Sequence, residues 1–324
     1  MVEIKEAKSP FLLPLYKVYE SNNIFLCYGN IITGPNIFFL IFTYIIIIIT
    51  VLPIYIIVYS QIESSILYFL TIFILTIFFI LVLYFLTITA FCDPGIIPKK
   101  NYVDLSIPKG RTAFTTVNIN GTIIKRYWCV HCNHFKEPRS KHCYVCNNCV
   151  TKFDHHCVWI GNCVGNRNYR RFVFFILNLS ILSTLICFIF IGFFISLCIK
   201  EYDSLNFQSV YYITVEHLHI ALYIIYTLPA SILLINLFFY HLKMILCNKT
   251  TYEDIQGLYS NNNPFDEGKV LNLKKFLFTP INKMQVDWKE IVKKNENLIR
   301  NKNKRKCQQS TFGIYFFKKL RNYI

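Results

Sequence analysis

Charge is what this sequence has least of. Asp, Glu, Lys and Arg together make up 16% of the 324 residues, where a soluble domain carries about a quarter. Hydrophobic residues make up 54%. The shortage is uneven. Four windows contain none of those charged residues: Ile37 to Tyr59, Ile66 to Phe91, Phe172 to Ile199 and Ile220 to Tyr240. Each exceeds the ~20 apolar residues a helix needs to cross hydrocarbon. Four uninterrupted runs of that length argue against buried helices of a large soluble protein. Their lack of charge also argues against a transporter, whose pathway is usually marked by intramembrane ionisable groups. A signal-peptide pattern is missing too. Glu3, Lys5, Glu6 and Lys8 interrupt the start, so the first span is expected to serve as its own insertion signal.

The charge that is present has a sign and a place. The formal net charge is +16. Lys and Arg number 3 before the first span, 0 between the first two, 13 in the central stretch, 1 between the last two and 17 in the tail. Positive charge favours the cytoplasmic side. The reading is therefore a cytosolic N-terminal segment (1–36), spans one and two (37–91), a cytosolic central domain (92–171), spans three and four (172–240) and a cytosolic basic tail (241–324). The run Lys302, Lys304, Arg305 and Lys306 suits anionic headgroups. These basic residues follow the cytosolic end of every span rather than clustering with aromatics on one face, which argues against a nucleic-acid binder.

Cysteine is concentrated. Seven of 13 cysteines and five of eight histidines fall between Cys129 and Cys163. In a reducing cytosol such a cluster binds metal or does thiol chemistry rather than forming disulfides. The two-residue gaps Cys129–Cys132, Cys143–Cys146 and Cys146–Cys149 let neighbouring thiolates reach one tetrahedral zinc. Twelve candidate ligands suffice for two sites, but spacing does not say which ligands share an ion. Two Cys3His sites would each be about one charge negative, which Lys136, Arg139, Lys141 and Lys152 can offset. Asp154, His155 and Cys157 add a carboxylate, an imidazole and a thiol within four residues. That combination suits an activated nucleophile, and taken alone it suits structural zinc equally well.

The run C-x2-C-x9-HC-x2-C-x2-C-x4-DHHC-x5-C-x4-N-x3-F, from Cys129 to Phe172, resembles the DHHC protein S-acyltransferases (palmitoyltransferases). Asp93-Pro94-Gly95 after the second span looks like the family's DPG motif, and Thr250-Thr251-Tyr252-Glu253 after the fourth looks like its TTxE motif. Asn272 resembles a polar residue that the family packs against its spans. The resemblance implies an all-α integral membrane protein: four transmembrane helices with a cytosolic, zinc-binding cysteine-rich domain between spans two and three. It implies two structural zinc ions, one on Cys129, Cys132, His142 and Cys149, the other on Cys143, Cys146, His156 and Cys163. His155 is then the base, Asp154 its orienter, and Cys157 the one thiol of the segment left off metal.

The implied reaction moves a palmitoyl group from palmitoyl-CoA to membrane-proximal cysteines of protein substrates, through an acyl-enzyme on Cys157. Lys136, Arg139, Arg170 and Arg171 are candidates for the CoA phosphates, and Ser180, Ser183 and Gly192 for the lining of an acyl cavity. Thr251 is expected to meet Asp154. Cys92 and Cys307 are candidate acylation sites near the membrane surface, though idle thiols explain them as well. The expected partners are the bilayer, palmitoyl-CoA and protein substrates, with no nucleic acid. The expected setting is an endomembrane (ER or Golgi) or the plasma membrane, with the active site facing the cytosol. Val158 and Gly161 depart from the family's usual proline and asparagine and are expected to loosen the backbone locally. The competing reading is an inactive zinc-stabilised membrane scaffold, which would not need Asp154, His155 and Cys157 together.

Overall fold

The computed structural model describes residues 12–62, 65–100, 113–201, 207–260 and 262–293. The basic run from Lys302 to Lys306 and Cys307 lie outside them. Four helices among the described residues are long and apolar enough to cross a membrane: Ile37–Gln61, Ser65–Ala90, Tyr169–Glu201 and Leu218–Leu246. Several of their threonine hydroxyls are satisfied within the helix, as lipid requires. Thr43, Thr76, Thr89 and Thr227 each donate to the carbonyl four residues back. Tyr44 and Tyr55 of the first span reach Thr87 and Thr76 of the second. Pro53 and Pro229 sit inside their helices.

The third span packs along the second and the fourth. Ile54, Val58, Val82, Leu86 and Phe190 are fully buried at the centre, whereas Phe38, Ile49, Ile66 and Leu233 are exposed. An apolar outer surface on a bundle with an apolar core suits lipid as its solvent.

Between spans two and three the chain is built from short antiparallel pairs, so the helical description applies to the spans and not to the cysteine-rich segment. Phe114–Ile119 pairs with Thr122–Cys129, which also pairs with His134–Phe135. Lys141–Cys143 pairs with Asn148–Val150, and His155–Cys157 with Asn162–Val164. Ile96–Ile97 joins the far edge of Asn148–Val150.

Two asparagines fasten this segment to the second span. A helix end leaves its last carbonyls without partners. Asn162 Nδ2 donates to the carbonyls of Ala90 and Cys92, and Asn168 Nδ2 to those of Thr89 and Cys163. The following turn is built by Asp93, whose Oδ1 accepts from the backbone N–H of Gly95 and of Ile96, both at 2.8 Å. Gly95 has φ +109°, and a side chain there would run into Thr151 Oγ1.

The described chain falls into two units, with this bundle and its cysteine-rich segment forming the larger. In the smaller, Leu12–Pro14 pairs with Ile291–Lys293, and the Tyr19 ring meets buried Trp288 edge-on at 4.9 Å.

Candidate active site and metal centres

Hairpin register assembles two donor sets. His142 lies opposite Cys149 in one pair, and His156 opposite Cys163 in the other. Each His–Cys pair is completed by a two-residue-gapped cysteine pair, whose tight turns use left-handed residues such as Asn133 (φ +53°) and Asn147 (φ +55°). The sets are Cys129, Cys132, His142 and Cys149, and Cys143, Cys146, His156 and Cys163.

The sulfurs of the first set lie 3.6, 3.4 and 3.8 Å from His142 Nδ1. Those of the second lie 3.6, 3.4 and 3.4 Å from His156 Nδ1. With Zn–S of about 2.3 Å and Zn–N of about 2.0 Å, tetrahedral coordination separates sulfur from nitrogen by about 3.5 Å. The donor sets fit a metal of that kind. Electrostatics point the same way. Hydrogen bonds from Cys132 and Cys149 hold the Cys129 thiol far below its ordinary range, and the bond to Cys129 pushes Cys132 up to about 11. So many sulfurs this close cannot all ionise without a cation among them, and thiolates are what a metal binds. His156 Nε2 sits 2.9 Å from Asn36 Oδ1, a contact that fixes the ring as metal-binding histidines usually are.

The same strand sorts the adjacent histidines. Side chains alternate along His155–Cys157, so His156 turns to the second donor set while His155 and Cys157 share the opposite face. There His155 Nδ1 lies 2.7 Å from Asp154 Oδ2, and the other carboxylate oxygen accepts the Thr251 N–H at 2.8 Å. Burial opposes ionisation of Asp154, but the His155 bond outweighs it and the carboxyl is held below its usual range. Burial likewise disfavours the imidazolium of His155, yet Asp154 and the nearby Cys157 sulfur lift it to about 9.

Thr250 to Glu253 form a clamp. Thr250 Oγ1 accepts from Glu253 N, and Glu253 Oε2 from Thr250 N, a capping box that starts the helix Thr251–Ile255. The Glu253 carboxylate then grips Arg139 at 2.6 and 2.8 Å in a buried ion pair. Thr251 meets Asp154 as expected, through its backbone N–H.

Cys157 and His155 line a cavity of about 700 Å³ between the first, third and fourth spans. Its walls include Ile47, Phe175, Leu179, Ile186 and Leu234. Ser183 lines it and hydrogen-bonds Ser231 at 2.8 Å, but Ser180 and Gly192 do not line it. His241 lies on the wall beside His155, its ring 5.2 Å from Phe172 and its Nδ1 3.2 Å from the Tyr169 hydroxyl.

The four proposed CoA cations are not gathered at this cavity. The Arg139 guanidinium is engaged by Glu253 and by Asn248. Arg170 lines a different pocket, Arg171 donates to the Ile88 carbonyl, and Lys136 lies half-buried on the cysteine-rich segment. Gly161 does not loosen the backbone either. It adopts φ +67°, where glycine is unstrained.

Sequence reasoning gave no role to Asn36, Asn162 and Asn168, the last read only as a motif position, and missed His241. The first three are polar residues at element ends, where unpaired backbone or ring groups call for such partners. His241 falls just past the charge-free window and carries no motif.

A family model described as DHHC palmitoyltransferase matches residues 122–257, a stretch holding both donor sets, Cys157 and the Thr250–Glu253 clamp. Probable protein S-acyltransferase 3 of Arabidopsis thaliana is 31% identical over 313 residues, covering 87% of this chain and 72% of its own. Probable protein S-acyltransferase 6 of the same plant is 30% identical over 288 residues, covering 83% and 68%. Palmitoyltransferase ZDHHC18 of Homo sapiens is 30% identical over 198 residues, 53% of this chain and 46% of that protein. Since likeness at this level runs through the spans as well as the cysteine-rich segment, the chain belongs to the DHHC palmitoyltransferase family.

Proposed function

We propose that the protein is an S-acyltransferase that takes a palmitoyl or similar long acyl group from acyl-CoA and passes it to cysteines of membrane-associated proteins. The observation that carries this is the position of Cys157: outside both donor sets, beside the Asp154–His155 pair, on the wall of an apolar cavity.

With its proton already held on His155, the Cys157 sulfur attacks the thioester carbonyl. The carbon–sulfur bond to CoA breaks, and CoA leaves as a thiol with the proton from His155. In the second half a substrate cysteine gives its proton to His155, attacks the acyl-enzyme and releases Cys157. Each half exchanges one thioester for another, so no further energy source is needed. Asp154 fixes the His155 ring through Nδ1, which leaves Nε2 for the sulfur. The cavity accounts for the membrane setting. A palmitoyl chain has about 14 methylenes worth roughly 0.8 kcal/mol each on leaving water, on the order of 11 kcal/mol in all.

Cys129, Cys132, His142 and Cys149, with Cys143, Cys146, His156 and Cys163, would hold two zinc ions. Zinc on four protein ligands is structural, and here it would tie the hairpins into the frame that presents Cys157. Of the four cations first put forward for CoA, Lys136 and Arg171 remain candidates. The distribution of Lys and Arg supports an active site facing the cytosol, in an endomembrane or the plasma membrane. An inactive scaffold would need the donor sets but not the Asp154–His155–Cys157 arrangement.

The test is incubation of the purified protein with palmitoyl-CoA. One hydroxylamine-sensitive acyl group per chain is expected by intact mass, absent in Cys157→Ser. Persistence of the adduct in that variant would defeat the proposal.

A further inference from the structure

A polar pocket of about 250 Å³ lies where the third span begins and the fourth ends, apart from the cavity of Cys157. Lys152, Arg167, Arg170, Lys249 and Lys275 line it, and the acid on its wall is Asp154. Both oxygens of that carboxylate are already engaged, by Thr251 and His155. Arg167 lies 3.4 Å from Asp93, and Lys275 pairs with Glu267.

The other three cations have no such partner. Arg170 donates to the Thr279 carbonyl, and its Nε is buried with no hydrogen-bond partner among the described residues. The Lys152 ammonium rests on the amide oxygen of Asn248 at 3.2 Å. Burial and the nearby Arg139 guanidinium push it down to about 8, against an opposing pull from Glu253 and Asp154. Among the described residues no carboxylate forms an ion pair with Arg170, Lys152 or Lys249. Cations that outnumber the carboxylates in a partly buried space are costly. A phosphate ester supplies both the charge and the acceptor oxygens that guanidinium and ammonium groups use best.

The surroundings point to a lipid as its source. Arg170 stands in the first turn of the third span and Ile245 in the last turn of the fourth, which sets the pocket at headgroup depth. The helix Lys269–Phe278 forms one wall. It turns Asn272 inward, where the side chain bonds the Leu246 carbonyl. On its other side Val270, Leu271, Leu277 and Phe278 are exposed at 70, 42, 36 and 77%. Those four residues recur at a seven-residue spacing and so share one stripe, as on a helix lying in a membrane surface.

We propose that this pocket binds the phosphate headgroup of an anionic membrane lipid. The inference does not rest on the transferase reading. It is tested on the full chain in detergent with dioctanoyl phosphatidic acid, a soluble lipid bearing a phosphomonoester. A saturable rise in melting temperature is expected with this lipid and not with dioctanoyl phosphatidylcholine. In Lys249→Glu the apparent affinity should fall at least tenfold, while CoA should fail to displace the lipid from the unaltered protein. Displacement by CoA at comparable concentration would overturn the proposal and give the pocket to the acyl donor. Equal stabilisation by inorganic phosphate would also overturn it, by removing the lipid. Unchanged affinity in Lys249→Glu would overturn the location. Should that variant fail to fold, a photoactivatable phosphatidic acid on the unaltered protein decides. Adducts at 244–250 or 269–282 are expected, and adducts only elsewhere would refute the site.

Discussion

The Thr251 N–H donates to Asp154 Oδ1 across 2.8 Å, so the chain leaving the fourth span holds the carboxylate that aligns His155. The bond ties a membrane helix to the proposed catalytic pair, and it comes from the backbone rather than from the threonine hydroxyl. Thr251 is the first residue of its helix, a position where proline fits the backbone but lacks an N–H. Thr251→Pro should therefore leave the helix in place and delete this one bond. Hydrogen bonds to charged groups contribute about 1.5–3 kcal/mol. We expect self-acylation to slow by about tenfold or more, with zinc content unchanged, as read by stopped-time labelling and metal analysis.

Arg139 and Glu253 make a second joint between the same two regions, with both side chains buried. Removing one member of a buried ion pair leaves the other uncompensated, at a cost of about 3–5 kcal/mol. Arg139→Met should lower the melting temperature of the detergent-purified protein well below that of the Arg139→Met, Glu253→Gln double variant. Thermal unfolding followed by intrinsic fluorescence would read the difference.

His155 gives stability a pH dependence of defined sign. Its folded pKa of about 9 stands above the ordinary histidine value of about 6.5. Its contribution is therefore fully present below pH ~6.5 and is lost as pH rises toward 9. The loss is on the order of 3 kcal/mol. Unfolding measured at pH 6 and pH 9.5 should show it in the unaltered protein and show less of it in His155→Gln.

Much of this was legible in the sequence for physical reasons. The spans were readable because hydrocarbon tolerates no charge, and the helices Ile37–Gln61 and Ser65–Ala90 start and stop close to the charge-free windows. The donor sets were readable only through the resemblance, since spacing leaves twelve ligands unsorted. Hairpin register, which places His142 opposite Cys149 and His156 opposite Cys163, is set by long-range folding. Arg139 shows the opposite case. A basic residue near the membrane looks available for phosphate until its partner is found 114 positions away. His241 was invisible for a related cause, because only packing of the third and fourth spans brings it beside His155.

The central claim is that Cys157 stays off metal and carries the acyl group. Zinc content and acyl labelling measured together on Cys157→Ser and Cys143→Ala test it most directly. The account predicts about two zinc ions per chain and no acyl adduct for Cys157→Ser, and loss of zinc for Cys143→Ala. Loss of a zinc ion from Cys157→Ser would make that sulfur a ligand and contradict the account.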